Sequence, residues 1–171
     1  IFNLPDEDRM YEKERRDCMD TTNEKQRAKN LTNLKGVEHF PNLKKLYCYD
    51  NQVSSLDVSK NTALEELICY NNQLSSLDVS NNTELKELLC YQNQLTSLDV
   101  SNNTALKDLT CQKNQLTSLD VTQNTGLEYL SCGSHPLGSL DVSKNINLKT
   151  LYCEQSNLTS LDLSQNHKLE M

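Results

Sequence analysis

The chain has 171 residues, a formal net charge of −7 and a hydrophobic fraction of 36%. Its mean hydropathy is −0.69. An acidic surface repels polyanions, so no nucleic acid and no anionic membrane is expected as a partner. No apolar run approaches the ~20 residues of a membrane-spanning helix, so the protein is not expected to be membrane-embedded.

Residues 1–30 are charged and aperiodic. Pro5 followed by Asp6, Glu7 and Asp8 reads as a helix start, with acids at the positive end of the dipole. A helix from 6 to about 18 would have Leu4, Met10, Tyr11, Cys18 and Met19 as its sparse apolar contacts. This segment is expected to be a partly helical, polar cap over the periodic chain that follows, because the first turn of a stacked array exposes core. The chain begins at Ile1, so any leader is expected to have been removed or left out.

Residues 31–42 form a variant first repeat. Leu31 and Leu34 stand 22 residues before Val53 and Leu56, one more than the later period, and Val37 and Phe40 fall where later units have Val58 and Asn61. Phe40 is expected to fill core beneath the cap.

From residue 43 to 171 the period is regular. Cysteines fall at 48, 69, 90, 111, 132 and 153, always 21 apart, and the unit reads L-x-x-L-x-C-x-x-N-Q-L-x-S-L-D-V-S-x-N-T-x. This is the pattern of leucine-rich repeats, with Cys in the place of the third Leu. The expected fold is a leucine-rich repeat solenoid. Short parallel strands at L-x-C line the concave face, and extended segments or 3₁₀ turns over S-L-D-V-S-x-N-T form the convex side. In-register cysteines of a parallel sheet stack about 4.8 Å apart. They are poorly placed for disulfides, so buried free thiols are expected. The Asn column Asn51, Asn72, Asn93 and Asn114 should turn inward to satisfy backbone groups where each strand ends, and it fails at His135 and Ser156. With Gly133, Pro136 and Gly138 nearby, the fifth regular repeat should be locally irregular.

The residues resemble a known family. The S-L-D-V-S-x-N-T array and the first repeat L-T-N-L-K-G-V-E-H-F-P-N-L are similar to bacterial leucine-rich repeat surface proteins of the internalin class. The internalin J type in particular also combines 21-residue repeats with a cysteine ladder. The resemblance covers roughly residues 31–171. It implies a non-enzymatic, adhesin-like binding module, secreted or at the bacterial cell surface, that takes a host or environmental protein, or a glycan, on its concave sheet. As a module it should be monomeric. The motif specifies scaffold and transfers no binding residue. Within these 171 residues no sorting signal and no immunoglobulin-like domain is recognisable, the N-terminal segment is unfamiliar, and the array stops inside a repeat. A piece of a longer protein is therefore expected. The alternative is a structural spacer or recognition segment whose activity lies in another domain.

Side chains alternate across a strand, so the residues on either side of each Cys face outward. The column before Cys is Tyr47, Ile68, Leu89, Thr110, Ser131 and Tyr152, and the column after is Tyr49, Tyr70, Tyr91, Gln112, Gly133 and Glu154. Tyr47, Tyr49, Ile68, Tyr70, Leu89 and Tyr91 thus make an apolar, aromatic candidate site, rimmed by Glu66, Glu87 and Asp108, with Lys45 and Glu65 nearby. Such a patch is either an interaction site or a set of neighbours packed laterally on one another. The Asp column Asp57, Asp78, Asp99, Asp120, Asp141 and Asp162 either caps turn N–H groups or binds calcium between turns. The unit lacks the glycines of calcium-binding solenoids, which favours capping. Zinc would need converging ligands, and a linear stack does not converge. His39, His135 and His167 fall on different columns, and no Ser-His-Asp or H-E-x-x-H spacing occurs, so neither catalysis nor a cofactor is expected.

Overall fold

A computed structural model describes residues 30–170. The cap expected over residues 1–30, with Cys18, lies outside the described residues except for Asn30. Six three-residue strands run parallel in chain order: β1 (Lys45–Tyr47), β2 (Glu66–Ile68), β3 (Glu87–Leu89), β4 (Asp108–Thr110), β5 (Tyr129–Ser131) and β6 (Thr150–Tyr152). Each pairs with the next at an offset of 21, as in Leu46↔Leu67 and Leu67↔Leu88. The assigned strands begin and end one residue before the L-x-C segment. The ladder still runs into the cysteines, since Cys48 N–H donates to Ile68 O at 2.9 Å.

One turn is too small to bury its own apolar face, so the core exists only as a stack. Leu67, Leu88 and Leu109 of the strands, the cysteines from Cys48 to Cys132, and the valines Val58, Val79, Val100, Val121 and Val142 are all buried. At roughly 25 cal/mol per Å² of apolar surface removed from water, these columns are the main drive for stacking. The six described cysteines are free thiols, five of them buried and Cys153 partly so.

Two Asn columns supply the polar fasteners. Asn72 Nδ2 donates to Cys48 O at 2.9 Å, Cys69 O at 3.1 Å and Tyr70 O at 3.2 Å, and its Oδ1 accepts from Val53 N–H at 2.9 Å. Asn93 and Asn114 repeat this pattern one and two turns on. On the convex side Asn82 Nδ2 donates to Val58 O at 3.0 Å and Asn61 O at 2.8 Å, and Asn103, Asn124, Asn145 and Asn166 repeat it. The Oδ1 atoms of this second column are buried with no partner among the described residues. Rotating the amides would not help, because the oxygens would then face two carbonyls. Asn61 donates to Val37 O at 2.7 Å and Phe40 O at 2.9 Å, so Val37 and Phe40 occupy the places of Val58 and Asn61. The extra residue of the first repeat therefore falls between Leu34 and Val37, where Gly36 takes φ 96°. Phe40 is partly buried against the core.

The convex segments are extended, with successive three-residue turns such as Asn61 N–H to Val58 O at 3.0 Å and Leu64 N–H to Asn61 O at 3.1 Å. A 3₁₀ helix is assigned only at Val37–His39 among the described residues. Each Asp of the exposed column accepts the N–H two residues on, as Asp57 does from Ser59 at 2.9 Å and Asp120 from Thr122 at 2.8 Å. That bond holds these carboxyls below their usual range. Turn capping is thus the arrangement present.

The fifth repeat is irregular for two identifiable reasons. In earlier turns the N–H of Gln52, Gln73, Gln94 and Gln115 donates to the preceding turn, to Leu31, Val53, Leu74 and Leu95 O. Pro136 stands in that register and has no N–H to give. His135 stands in place of the fastening Asn and is buried, and among the described residues its ring nitrogens find no well-formed hydrogen-bond partner. The chain closes instead through Leu137 N–H to His135 O at 2.9 Å, with Gly138 at φ 73°.

These contacts set opposite expectations for two substitutions. Asn93→Ala removes an amide that bridges turns and should cost about 2–4 kcal/mol. His135→Asn supplies the missing amide and should add about 1–2 kcal/mol, or roughly 3–6 °C in Tm. Burial pushes the His135 imidazole below its usual value. The unfolded chain therefore binds the proton more readily, and stability should fall as pH drops through about 6.5. Thermal melts at pH 7.5 and 5.5 check both points: His135→Asn should be the more stable variant and should lose less on acidification than the parent.

Candidate functional site

On the concave face the outward positions form three files across the sheet. The first positions of β1–β6 are Lys45, Glu66, Glu87, Asp108, Tyr129 and Thr150. The last positions are Tyr47, Ile68, Leu89, Thr110, Ser131 and Tyr152. Two residues further on, beyond the buried cysteines, stand Tyr49, Tyr70 and Tyr91, all partly buried.

The structure brings the six candidate aromatic and apolar residues onto one continuous surface. The Tyr49 and Tyr70 rings stack with centroids 4.6 Å apart and planes at 24°. Tyr70 and Tyr91 stack at 4.4 Å and 8°. Those spacings match the strand repeat of about 4.8 Å, so the backbone register imposes the ring stack. The rings pack laterally, each face of Tyr70 covered by a neighbour. Ring edges are what the file offers to a ligand. Burial raises the Tyr91 phenol above its usual value.

Glu66, Glu87 and Asp108 head β2, β3 and β4 in register, on the sheet face itself. Lys45 Nζ lies 2.7 Å from Glu66 Oε1, and the Tyr47 hydroxyl donates to Glu66 Oε2. Burial works against the Glu66 charge, but these two donors together hold its carboxyl below the usual value. Burial first, then the Asp108 and Glu66 charges, raise Glu87, and burial raises Asp108. The preceding column carries charges that pair between turns: Glu65 takes Lys44 and Lys86, both at 2.6 Å, and Glu128 takes Lys149 at 2.6 Å. Its two lysines hold Glu65 at about 2. Exposed pairs of this kind contribute little stability.

A second aromatic contact was not anticipated. Tyr129 and Tyr152 meet with centroids 5.8 Å apart and planes at 58°, and Tyr152 is 51% exposed. Tyr129 stands in the file that carries acids in the earlier repeats, which hid it among rim positions. Between the two aromatic groups the surface drops to Thr110, Ser131 and Gly133, all buried. A side chain at Gly133 would meet Glu154 O at 2.6 Å, so the neighbouring turn holds this position to glycine.

The ladder cysteines are not arranged as nucleophiles. Burial pushes Cys90 and Cys132 up to about 12, opposite to what thiolate chemistry needs. Among the described residues no group of three or more His, Cys, Asp or Glu is placed to hold a metal ion. No described helix is long and apolar enough to cross a membrane.

The fold and its columns define a leucine-rich repeat solenoid. A family model for leucine-rich repeats in two copies matches residues 41–82. Among solved structures the chain is similar to the functional domain of InlJ from Listeria monocytogenes, described as including a cysteine ladder. Identity is 31%, the TM-score is 0.79, and the match covers 88% of this chain and 35% of that one. It is also similar to a leucine-rich repeat protein of Leptospira interrogans, at 29% identity and a TM-score of 0.74, over 78% of this chain and 37% of that one. The internalin InlF of Listeria monocytogenes shares the fold at 24% identity and a TM-score of 0.75, over 82% of this chain and 44% of that one. No curated protein sequence matches. The chain is an internalin-like leucine-rich repeat protein, and it spans little more than a third of the first two relatives.

The thiol column gives a direct check. In a Cys18→Ser background, Cys153 should react first with a disulfide reagent, because its neighbours are sealed in the core. Native protein should release about one equivalent of thiol quickly and the rest only on unfolding. Fast release of several equivalents would contradict the buried ladder.

Proposed function

We propose that the chain is a protein-binding module whose ligand lies on the concave sheet over Tyr47, Tyr49, Ile68, Tyr70, Leu89 and Tyr91. It acts as the adhesin-like part of a secreted or surface-displayed bacterial protein and performs no catalysis itself. The observation that carries this reading is the stacked tyrosine file beside partly buried Ile68 and Leu89. A rigid aromatic and aliphatic strip on an otherwise polar, acidic protein is the composition of an interface centre. A protein ligand is favoured over a glycan. Sugars bind tyrosine by covering the ring face, and here the neighbours cover both faces of Tyr70. The secreted or surface setting follows from the internalin resemblance.

A binding screen against immobilised glycans and purified extracellular proteins tests the reading. A protein hit should lose about 10-fold or more in affinity with Tyr70→Ala, in keeping with the loss of a central aromatic anchor. The melting temperature of that variant should stay within a few degrees of the parent, because the ring is only partly buried. Hits that ignore Tyr70→Ala, or that are all glycans, would overturn it. A spacer carrying an activity located elsewhere would yield no hit.

A further inference from the structure

The concave face is unevenly charged. Three carboxylates stand in register about 4.8 Å apart across β2–β4. Only Glu66 has a cation within ion-pair distance among the described residues. Lys86 is bound by Glu65, and Lys45 by Glu66. Beside the acids runs the apolar file of Ile68 and Leu89, and beyond it the row of tyrosine edges. A ring edge carries the positive part of the aromatic quadrupole. That row therefore favours acceptors such as peptide carbonyls.

Resting on the concave reading proposed above, we infer that this face docks an extended polypeptide segment bearing lysine or arginine. Its cationic side chain sits between Glu87 and Asp108, its apolar side chains lie on Ile68 and Leu89, and its backbone carbonyls face the tyrosine edges. Charge complementarity selects this occupant. An acidic segment would add a like charge beside two carboxylates whose ionised forms burial already disfavours, Glu87 also through the Asp108 and Glu66 charges. A guanidinium or ammonium group placed there relieves both penalties. A small polyamine would satisfy the acids but leave the apolar and aromatic files uncovered.

The test uses the whole chain and a fluorescein-labelled peptide, Ser-Lys-Leu-Lys-Leu-Arg-Ser, followed by anisotropy at about 150 mM salt, where diffuse attraction is screened. The comparators are the same peptide with glutamates for its basic residues, and spermidine as a competitor. The basic peptide should bind the parent and lose about 10-fold or more with Glu87→Gln/Asp108→Asn. It should lose less than about two-fold with Glu84→Gln/Glu170→Gln, which removes the same charge from exposed positions off this face. The glutamate peptide should not bind, and spermidine should compete only weakly. Equal loss in both double variants reduces the effect to net charge and overturns the inference, as does undiminished binding by Glu87→Gln/Asp108→Asn. Binding of the glutamate peptide that Tyr70→Ala abolishes would sink the cationic occupant and leave the concave site standing. Binding of the basic peptide that neither Tyr70→Ala nor Glu87→Gln/Asp108→Asn disturbs would sink both. Thermal melts of every variant separate these outcomes from unfolding.

Discussion

The structure depends on the inward-turned asparagines that end strands β1 to β4. A coil of 21-residue turns must satisfy the backbone where each strand bends away, in a place water does not reach. Asn72, Asn93 and Asn114 do this by donating to carbonyls of their own turn and the one before, and by accepting an N–H of that earlier turn. Each amide therefore fixes the stacking distance as well as the bend. Leucine and cysteine columns supply the drive to stack, but apolar contact alone is non-directional and would tolerate slippage. The amides add directed bonds that tie the 21-residue offset through β4, and β5 and β6 keep the same offset without them.

Function follows from the same constraint. Once the offset is fixed, every outward residue lies beside its equivalent in the next turn. Three tyrosines one repeat apart then have to stack, and three acids one repeat apart have to share a field. The tyrosine file from Tyr49 to Tyr91 sits over the unbroken run of fastening asparagines from Asn51 to Asn114. The first break, at His135 and Pro136, lies beyond it. The surface best suited to hold a ligand is thus carried by the most tightly fastened part of the coil.

Much of this was legible in the sequence, because a repeat prints each structural role as a column. The cysteine period locates the sheet, and alternation on either side of each Cys names the two outward files that the structure places on the concave face. The irregular fifth repeat was visible in its substitutions. Other features are written less openly. The residue before each position of the fastening column, whether Asn, His135 or Ser156 fills it, adopts a left-handed backbone, at Asp50, Asn71, Gln92, Lys113, Ser134 and Gln155. Only Asp50 and Asn71 are residue types that signal it. The use of ring faces within the tyrosine file depends on rotamers, which a one-dimensional pattern does not hold. Tyr129 was obscured because its column carries acids elsewhere. The loss at Pro136 emerges only once it is known that the Gln in that register donates to the turn before.

Native-state hydrogen exchange, read residue by residue, tests the central claim that the amide fasteners organise the coil and its concave face. The slowest amides should be those of Val53, Leu74 and Leu95, which donate to the next turn's Asn, together with Cys69 and Cys90 in the sheet. Protection should step down at 133–138, where the column is interrupted. Uniform protection through that segment, or faster exchange beneath the tyrosine file than beyond it, would contradict the claim.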